Sequence, residues 1–573
     1  MDRKKILTKI DLNENIINVE ILDHNIGDKS EYAFYLYYYP NQSSNKITVS
    51  TTKYIKKKQY TFYVDKNGYY FVKCFVQNDQ GRYTQDTNTV LYLNEEFKDE
   101  FEKLISSNLK TKNTINEPIN FFKVPYPNRN FALISYKNED NNNFAWENII
   151  CKINQWCNKH NFNINILPKK ITWNTKNIVI CDKEEFENKH FIFSGYAWAE
   201  NQFYFGSADI NSHEEIDKIQ DNLGVFTLLD VTSSCINITT DYFSYGKIYY
   251  FLDDNVLVAS NSYHMLLIIL SKMELKYELD KEFVYTTFAS NVTLFRQPIN
   301  ERMTIKNTFQ MNLCDKLVID KKGWRFVKKD SYYILNGKHD FKEQEYNNLI
   351  RNGAQEIISN VRAVLNHPNF CDYVLELSGG KDSRVTFAAL TNIVDANKKV
   401  YLYSINHEPN DLDIAVGLSN LFNYKYYSKG DIWYQDDVLE YIKRKRSSFC
   451  GIRYLWYIES KHCYNLNKMV FNGECFESLA VRYYSHTIKD YDFDRNDFND
   501  LVDIYSILLS KQAIIDYNSI SGIIRNQLLE GLYSIPSGTS LEAFDNMFMF
   551  YRAGITAGNL DRMYYTCATC MPL

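Results

Sequence analysis

Apolar and polar or bulky positions alternate with a period of two through much of the first hundred residues. Phe34, Leu36 and Tyr38 alternate with Tyr35, Tyr37 and Tyr39. After a turn at Asp65-Lys-Asn-Gly68, Tyr69, Phe71, Lys73 and Phe75 alternate with Tyr70, Val72, Cys74 and Val76. A second turn at Asn78-Asp-Gln-Gly81 leads to Val90-Leu-Tyr-Leu93. Short alternating runs split by Asn, Asp and Gly turns predict a small β-sandwich over residues 1–115. This part carries no cluster of His, Asp or Glu with catalytic spacing and reads as an accessory or docking module. The run Lys56-Lys-Lys58 reads as a solvated edge that discourages further strand pairing.

The pattern then becomes mixed. Residues 116–188 predict a helix over Phe144–His160 and a buried strand over Asn177–Cys181, and read as an α/β connecting segment. Strands return over 189–335: Phe191-Ile-Phe193, Gln202-Phe-Tyr-Phe205, Gly224–Leu229, Cys235–Ile238, Lys247–Phe251 and Val256–Val258. A helix over Tyr263–Ser271 and a hairpin over Lys316–Val327 follow. From 336 onward the period changes to three and four. Leu349, Ile350, Ile357, Ile358, Val361, Val364 and Leu365 mark an amphipathic helix that His367-Pro368 stops. Strands at Tyr373–Leu377, Val400–Ser404 and Met469–Phe471 then alternate with helical stretches, which predicts a doubly wound parallel sheet. The fold class is therefore multidomain α+β and α/β.

Composition narrows the setting. The chain has 573 residues, too many for one core, and its net charge of −5 gives no global attraction to nucleic acid or an anionic membrane. The 46 Tyr and 36 Phe, beside abundant Asn, Lys and Ile, read as base composition rather than as a binding surface. The N-terminus lacks the apolar segment of a signal peptide, and no apolar run is long enough to span a bilayer. The 12 Cys are mostly isolated in apolar strands and read as reduced core residues, so the expected location is cytoplasmic. Cys567 and Cys570 form one CxxC with no second pair, and His213-Glu214-Glu215 lacks a second His at helical spacing, so neither makes a zinc motif.

The candidate chemistry sits at Ser378-Gly-Gly-Lys-Asp-Ser383, between a strand and a helix. Such a turn is an anion site: backbone N–H groups and the helix dipole face the ligand. Gly379 and Gly380 are expected to let the backbone approach and to adopt positive φ. Ser378 and Ser383 add hydroxyl donors. Asp382 has the wrong charge for a bare anion but suits a Mg²⁺ that bridges to phosphate oxygens. Lys381 either meets phosphate or points to solvent, and Arg384 reads as a scaffold ion pair. A Walker P-loop, GxxxxGK[ST], is absent from the sequence. The run Lys443-Arg-Lys-Arg446 closes a predicted helix, where cations offset its dipole.

The turn resembles the pyrophosphate loop of the ATP pyrophosphatases. Three further stretches, Asp411-Leu-Asp-Ile-Ala415, Asn472-Gly-Glu-Cys-Phe-Glu477 and Cys567-Ala-Thr-Cys-Met-Pro-Leu573, extend the likeness to the asparagine synthase family. That family includes asparagine synthetase, β-lactam synthetase and lasso-peptide cyclases, and the resemblance covers about Phe193 to the C-terminus. It implies a degenerate glutaminase-like domain of the Ntn-hydrolase type over 189–335 and an ATP-binding synthetase domain over 336–573. It also implies ATP and Mg²⁺ as cofactors, with a small carboxylic acid and an amine as substrates. Ser378, Gly379, Gly380, Lys381, Asp382 and Ser383 would hold the outer phosphates, and Ile405, Asn472 and Gly473 would line the nucleotide. Asp382 and Glu477 would hold the metal, and Glu474 would act as base for the incoming amine.

Two departures qualify the expectation. The Ntn-type nucleophile is a cysteine at position two, but this chain opens Met1-Asp2 and the matching region begins at Phe193-Ser-Gly-Tyr196. No glutamine hydrolysis is therefore expected, and Ser194 is a poor substitute because this fold uses the chain's own α-amine as base. The sequence also stops at Leu573, before the helices and the lysine that the family carries beyond this point, so either it is a fragment or the protein lacks that element. In the second case an inactive nucleotide-binding scaffold is the competing expectation. A tRNA-modifying enzyme with the same loop fits less well, because the chain lacks a basic balance and paired Cys near the loop.

Overall fold

The structure is a computed structural model. It describes residues 8–13, 15–21, 30–39, 47–66, 68–78, 81–92, 129–137, 143–168, 171, 174–182, 186–275, 277–288, 298–335, 342–404, 411–426, 468–471, 494, 496–510, 517–537, 539–553 and 568–570. The chain is a mixed α/β protein with several sheets. It divides into two units: residues 1–119, 284–296 and 499–529, and residues 120–283, 297–498 and 530–573.

The first unit holds strands β1 (Thr8–Asn13), β2 (Ile16–Ile21), β3 (Glu31–Tyr39), β4 (Ile47–Thr51), β5 (Gln59–Tyr63), β6 (Gly68–Asn78) and β7 (Gly81–Tyr92). They form two antiparallel sheets, β1-β2-β5 and β4-β3-β6-β7. The alternation seen in the sequence sorts the faces. Ile17, Val19 and Ile21 of one sheet share a core with Phe34, Leu36, Val72, Cys74 and Val76 of the other. On the other face of the larger sheet, Tyr35 meets Phe75 at 4.6 Å and Tyr37 stacks on Phe71 at 4.9 Å.

The second unit begins with a two-sheet sandwich. Its strands are β8 (Ala132–Lys137), β9 (Phe162–Ile166), β10 (Thr175–Asp182), β11 (Phe191–Ala199), β12 (Gln202–Phe205), β13 (Gly224–Val231), β14 (Ile236–Thr240), β15 (Tyr249–Leu252), β16 (Val256–Ser260), β17 (Thr308–Gln310), β18 (Asp315–Asp320) and β19 (Gly323–Lys328). They make two six-stranded sheets, β17-β15-β16-β8-β10-β9 and β12-β11-β13-β14-β18-β19. Leu133, Val179 and Leu257 of the first meet Ile192, Leu229, Ile238 and Leu317 of the second between the sheets. On the far side of the first sheet, Ile134, Ile178 and Ile180 pack on α1 (Asn143–Lys159) and on Leu266, Ile269 and Leu270 of α3 (Tyr263–Lys272). On the far side of the second, Phe193, Phe226 and Leu228 pack on Ile216 and Ile219 of α2 (His213–Ile219). The layers thus run helix, sheet, sheet, helix. Serines cap two of the helices: Ser212 accepts from Glu215 N and Ser262 from Met265 N.

This corrects the reading of 116–188 as a connector. That stretch supplies β8, β9, β10 and α1, and β8 lies inside the first sheet between β16 and β10. The strand over Asn177–Cys181 was legible; β8 was not, and its pairing of Ile134 with Val258 spans more than a hundred residues.

The remainder of this unit is the predicted parallel sheet. It consists of β20 (Asp372–Glu376), β21 (Val400–Tyr403), β22 (Lys425–Tyr426), β23 (Lys468–Phe471) and β24 (Ala568–Cys570), in the order β22-β21-β20-β23-β24. Every pairing is parallel. The helices that position its carboxyl edge are α4 (Glu343–Leu365), α5 (Lys381–Thr391) and α6 (Asp411–Phe422). Only the last part of α4 is buried, at Asn360, Val361, Val364 and Leu365, while Leu349 and Ile350 are exposed. The apolar stripe read from sequence over the whole helix is therefore used only at its C-terminal end. There Trp198 Nε1 donates to Asn360 O at 3.2 Å, and His367 Nε2 lies 2.9 Å from Asp209 Oδ2, which joins α4 to the β11–β12 hairpin.

Candidate functional site

The site is built at the end of β20. Val374 and Leu375 are buried at the centre of the sheet, and Leu377 N donates to Tyr403 O at 2.7 Å, which carries the pairing one step further. The chain then turns through Ser378, Gly379 and Gly380 into α5, whose N-cap is Gly380 in an extended conformation. No side chain caps this helix, so the backbone N–H groups of its first turn, from Lys381 to Ser383, lie at an N-terminus that favours an anion. Strands are numbered along the chain while the sheet order runs 22-21-20-23-24, so successive strands reverse direction of travel at β20. The turn leaves the carboxyl end of the strand at this switch point, where open α/β sheets bind ligands.

The turn itself is closed by hydrogen bonds. Ser378 N donates to Ser383 Oγ at 3.0 Å, and the two hydroxyls lie 3.2 Å apart. Gly380 N donates to Ser378 Oγ at 3.2 Å, and Arg384 Nε to Gly380 O at 3.0 Å. Gly379 N donates to Asp411 Oδ1 at 2.6 Å. This corrects three expectations. The serine hydroxyls serve the turn's own backbone, and the N–H groups of residues 378–380 already have acceptors. Gly380 is at φ −68 and Gly379 is not among the positive-φ glycines, so the glycines here are not needed for a left-handed backbone. They are needed for room: a Cβ on Gly379 would lie 2.6 Å from Asp411 Oδ1 and 3.0 Å from Ile414 Cδ1. Arg384 closes the first turn of α5 through a carbonyl, where an ion pair was expected.

Lys381 is exposed, Asp382 half-buried and Ser383 buried. The six residues of the motif are therefore together, on one turn. Ile405, Asn472, Gly473, Glu474 and Glu477 lie outside the described residues. The strands that precede them are in place: β21 and β23 flank β20, and Leu375 is paired with Phe471. Among the described residues, no group of three or more His, Cys, Asp or Glu could hold a metal ion. Asp382 alone still fits Mg²⁺, which commonly takes one or two carboxylates and completes its shell with phosphate and water. Asp411 was quoted from the sequence only as part of a helix start. Its signal was a carboxylate at the first residue of the helix that follows the neighbouring strand.

In the sandwich, Ser194 is 2 % exposed and its Oγ accepts from Arg129 N at 2.8 Å. Asn261 accepts from Phe131 N at 3.0 Å and donates to Arg129 O at 2.7 Å. Ser194 is thus occupied in fixing the chain that enters β8. Nearby Asp241 is buried and accepts from Tyr245 N, Gly246 N and Phe226 N at 2.9, 2.7 and 3.3 Å. Burial pushes its carboxyl up to about 6, against the opposing pull of Lys329 and these N–H groups. His213 is paired with Asp230 at 3.2 Å, consistent with a role in the surface of the fold. Cys74, Cys157, Cys181 and Cys314 are buried and form no disulfide, and burial pushes the Cys157 thiol up to about 12, far from a reactive thiolate.

No family model matches the chain, and no curated protein does. A search of solved structures finds glutamine phosphoribosylpyrophosphate (PRPP) amidotransferase from B. subtilis, complexed with ADP and GMP, at 6% sequence identity and a TM-score of 0.19. The match covers 63% of this chain and 79% of that one. Among the described residues, no helix is long and apolar enough to cross a membrane.

Proposed function

We propose that the chain is an ATP-dependent, AMP-forming amide ligase of the asparagine synthase kind, acting on a small carboxylic acid and an amine. The observation that carries this reading is the position of Ser378–Ser383. The turn stands at the carboxyl end of β20, at the switch point of a parallel sheet, with the N-terminus of α5 behind it.

The chemistry follows in two steps. A carboxylate oxygen of the substrate attacks the α-phosphorus of ATP, the bond from that phosphorus to the bridging oxygen breaks, and pyrophosphate leaves. The amine nitrogen then attacks the acyl carbon, the bond to the adenylate oxygen breaks, and AMP leaves with that electron pair. The protein's part in the first step is orientation and charge compensation. The N–H groups at the start of α5 would face the outer phosphates. Mg²⁺, when bound, offsets phosphate charge, and Asp382 with Glu477 would hold it. Glu474 would take the proton that the amine loses. The amine would not be made from glutamine, and Ser194, buried and bonded to Arg129 N, sits at the entry to β8.

The closed hydrogen bonding of the turn favours a second reading, a nucleotide-binding scaffold without turnover. One assay separates the two. Pyrophosphate release from ATP and Mg²⁺ is followed across a panel of carboxylic acids, with ammonia or small amines, for wild type and Asp382→Ala. The ligase reading expects acid-dependent release that falls at least about a hundredfold in the variant, the scale of a lost charge contact in the transition state. Glutamine in place of ammonia should yield no product. ATP binding with no release for any acid would leave the scaffold.

A further inference from the structure

We propose that Asp411 is the resident anion of the turn, and that its carboxylate yields the Gly379 N–H to a phosphate oxygen only when a cation accompanies the nucleotide. The inference rests on reading Ser378–Ser383 as a phosphate cradle. It adds how that cradle tells metal-bound from metal-free polyphosphate.

The contact is short and enclosed. Asp411 Oδ1 accepts from Gly379 N at 2.6 Å, and Asp411 is 7% exposed. Its position is set by two features of the fold. Asp411 is the first residue of α6, where the helix dipole favours a carboxylate. The lack of a side chain at Gly379 is what lets the carboxylate come so near, since a Cβ there would collide with Oδ1. Two helix N-termini therefore converge on the turn, with the Asp411 carboxylate between them and Asp382 in the first turn of α5.

A single N–H cannot serve a carboxylate and a phosphate oxygen equally. An arriving polyphosphate must share or displace Asp411, and at contact distance the two anions repel with little solvent between them. A cation bound to the phosphates removes most of that repulsion. The N–H groups of Ser378 and Gly380 already have acceptors in Ser383 and Ser378, so at Gly379 binding is an exchange of acceptors, beside the uncapped first turn of α5. Asp411 thereby acts as a specificity-determining residue: it discriminates against free ATP and free pyrophosphate.

The test measures binding, not turnover. Titration calorimetry with ATP and with inorganic pyrophosphate is run on the full chain, with Mg²⁺ and with EDTA, for wild type, Asp411→Asn and Asp411→Ser. Wild type should lose about a hundredfold or more in affinity when the metal is removed, and the variants about tenfold or less, because they gain metal-free affinity. Asp411→Asn keeps an acceptor oxygen and tests charge alone; Asp411→Ser keeps the comparison available should the first variant melt early. Parallel loss of both affinities in both variants would reduce Asp411 to a structural support and overturn the proposal. Unchanged ratios would overturn it as well. A wild type that binds neither form of either ligand would instead reject the phosphate cradle itself.

Discussion

Lys247 has its ammonium inside the protein, where Nζ donates to the Phe550 carbonyl at 3.3 Å. Burial lowers it to about 8, with Asp241 opposing and Lys329 adding to the shift. The folded state therefore holds fewer protons on this group than the unfolded chain between pH 8 and the ordinary lysine value. Its contribution to stability rises with pH across that window and is flat below it. Lys247→Met removes the group. In denaturant melts, wild type should gain on the variant by about 2 kcal/mol between pH 7 and pH 10; parallel curves over that range would contradict the assignment. The residues of the turn were legible in the sequence because SGGKDS is a local motif. Asp411 was not legible as part of the site, because its bond to Gly379 joins positions 32 apart. The expected positive φ at Gly379 and Gly380 is absent, and what a Cβ on Gly379 would meet is Asp411 and Ile414.

At the scale of elements, α4 is held to β20 by one hydroxyl. Tyr373 OH lies 3.3, 3.2 and 3.2 Å from the carbonyls of Val364, Leu365 and Phe370, and shares its proton among them. These carbonyls lie at the end of α4 and in the following turn, where Val364 O also accepts from His367 N and Leu365 O from Lys399 Nζ, each at 3.1 Å. Tyr373→Phe should cost about 1 kcal/mol, seen as a melting temperature lower by a few degrees, with ATP affinity unchanged. An unaltered melting temperature would show that the His367 and Lys399 donors suffice without the hydroxyl. Most strands of the sandwich from Phe191 to Val258 were legible, since each is a short apolar run between turn residues. The membership of β8, β9 and β10 was not, because alternation identifies a strand but not its neighbour. In α4, the stripe at Leu349 and Ile350 follows helical spacing yet stays exposed, so period alone did not reveal how much of the helix is used.

For the whole molecule, the two units have separate logics. In the first, two antiparallel sheets bury one face of each, which is why its sequence alternates so cleanly. In the second, the sandwich is covered on both outer faces and its strands read as continuous apolar runs. The parallel sheet was legible from alternating strands and helices, and its strand order sets the turn after β20 at the switch point. The central claim is that this turn binds the outer phosphates of a nucleotide. Amide hydrogen exchange across residues 377–391 tests it most directly, with Mg²⁺ and either ATP or AMP at saturating concentration. The account predicts slowed exchange at the start of α5 with ATP and little change with AMP. Exchange there that is indifferent to ATP, or protected equally by AMP, would contradict it.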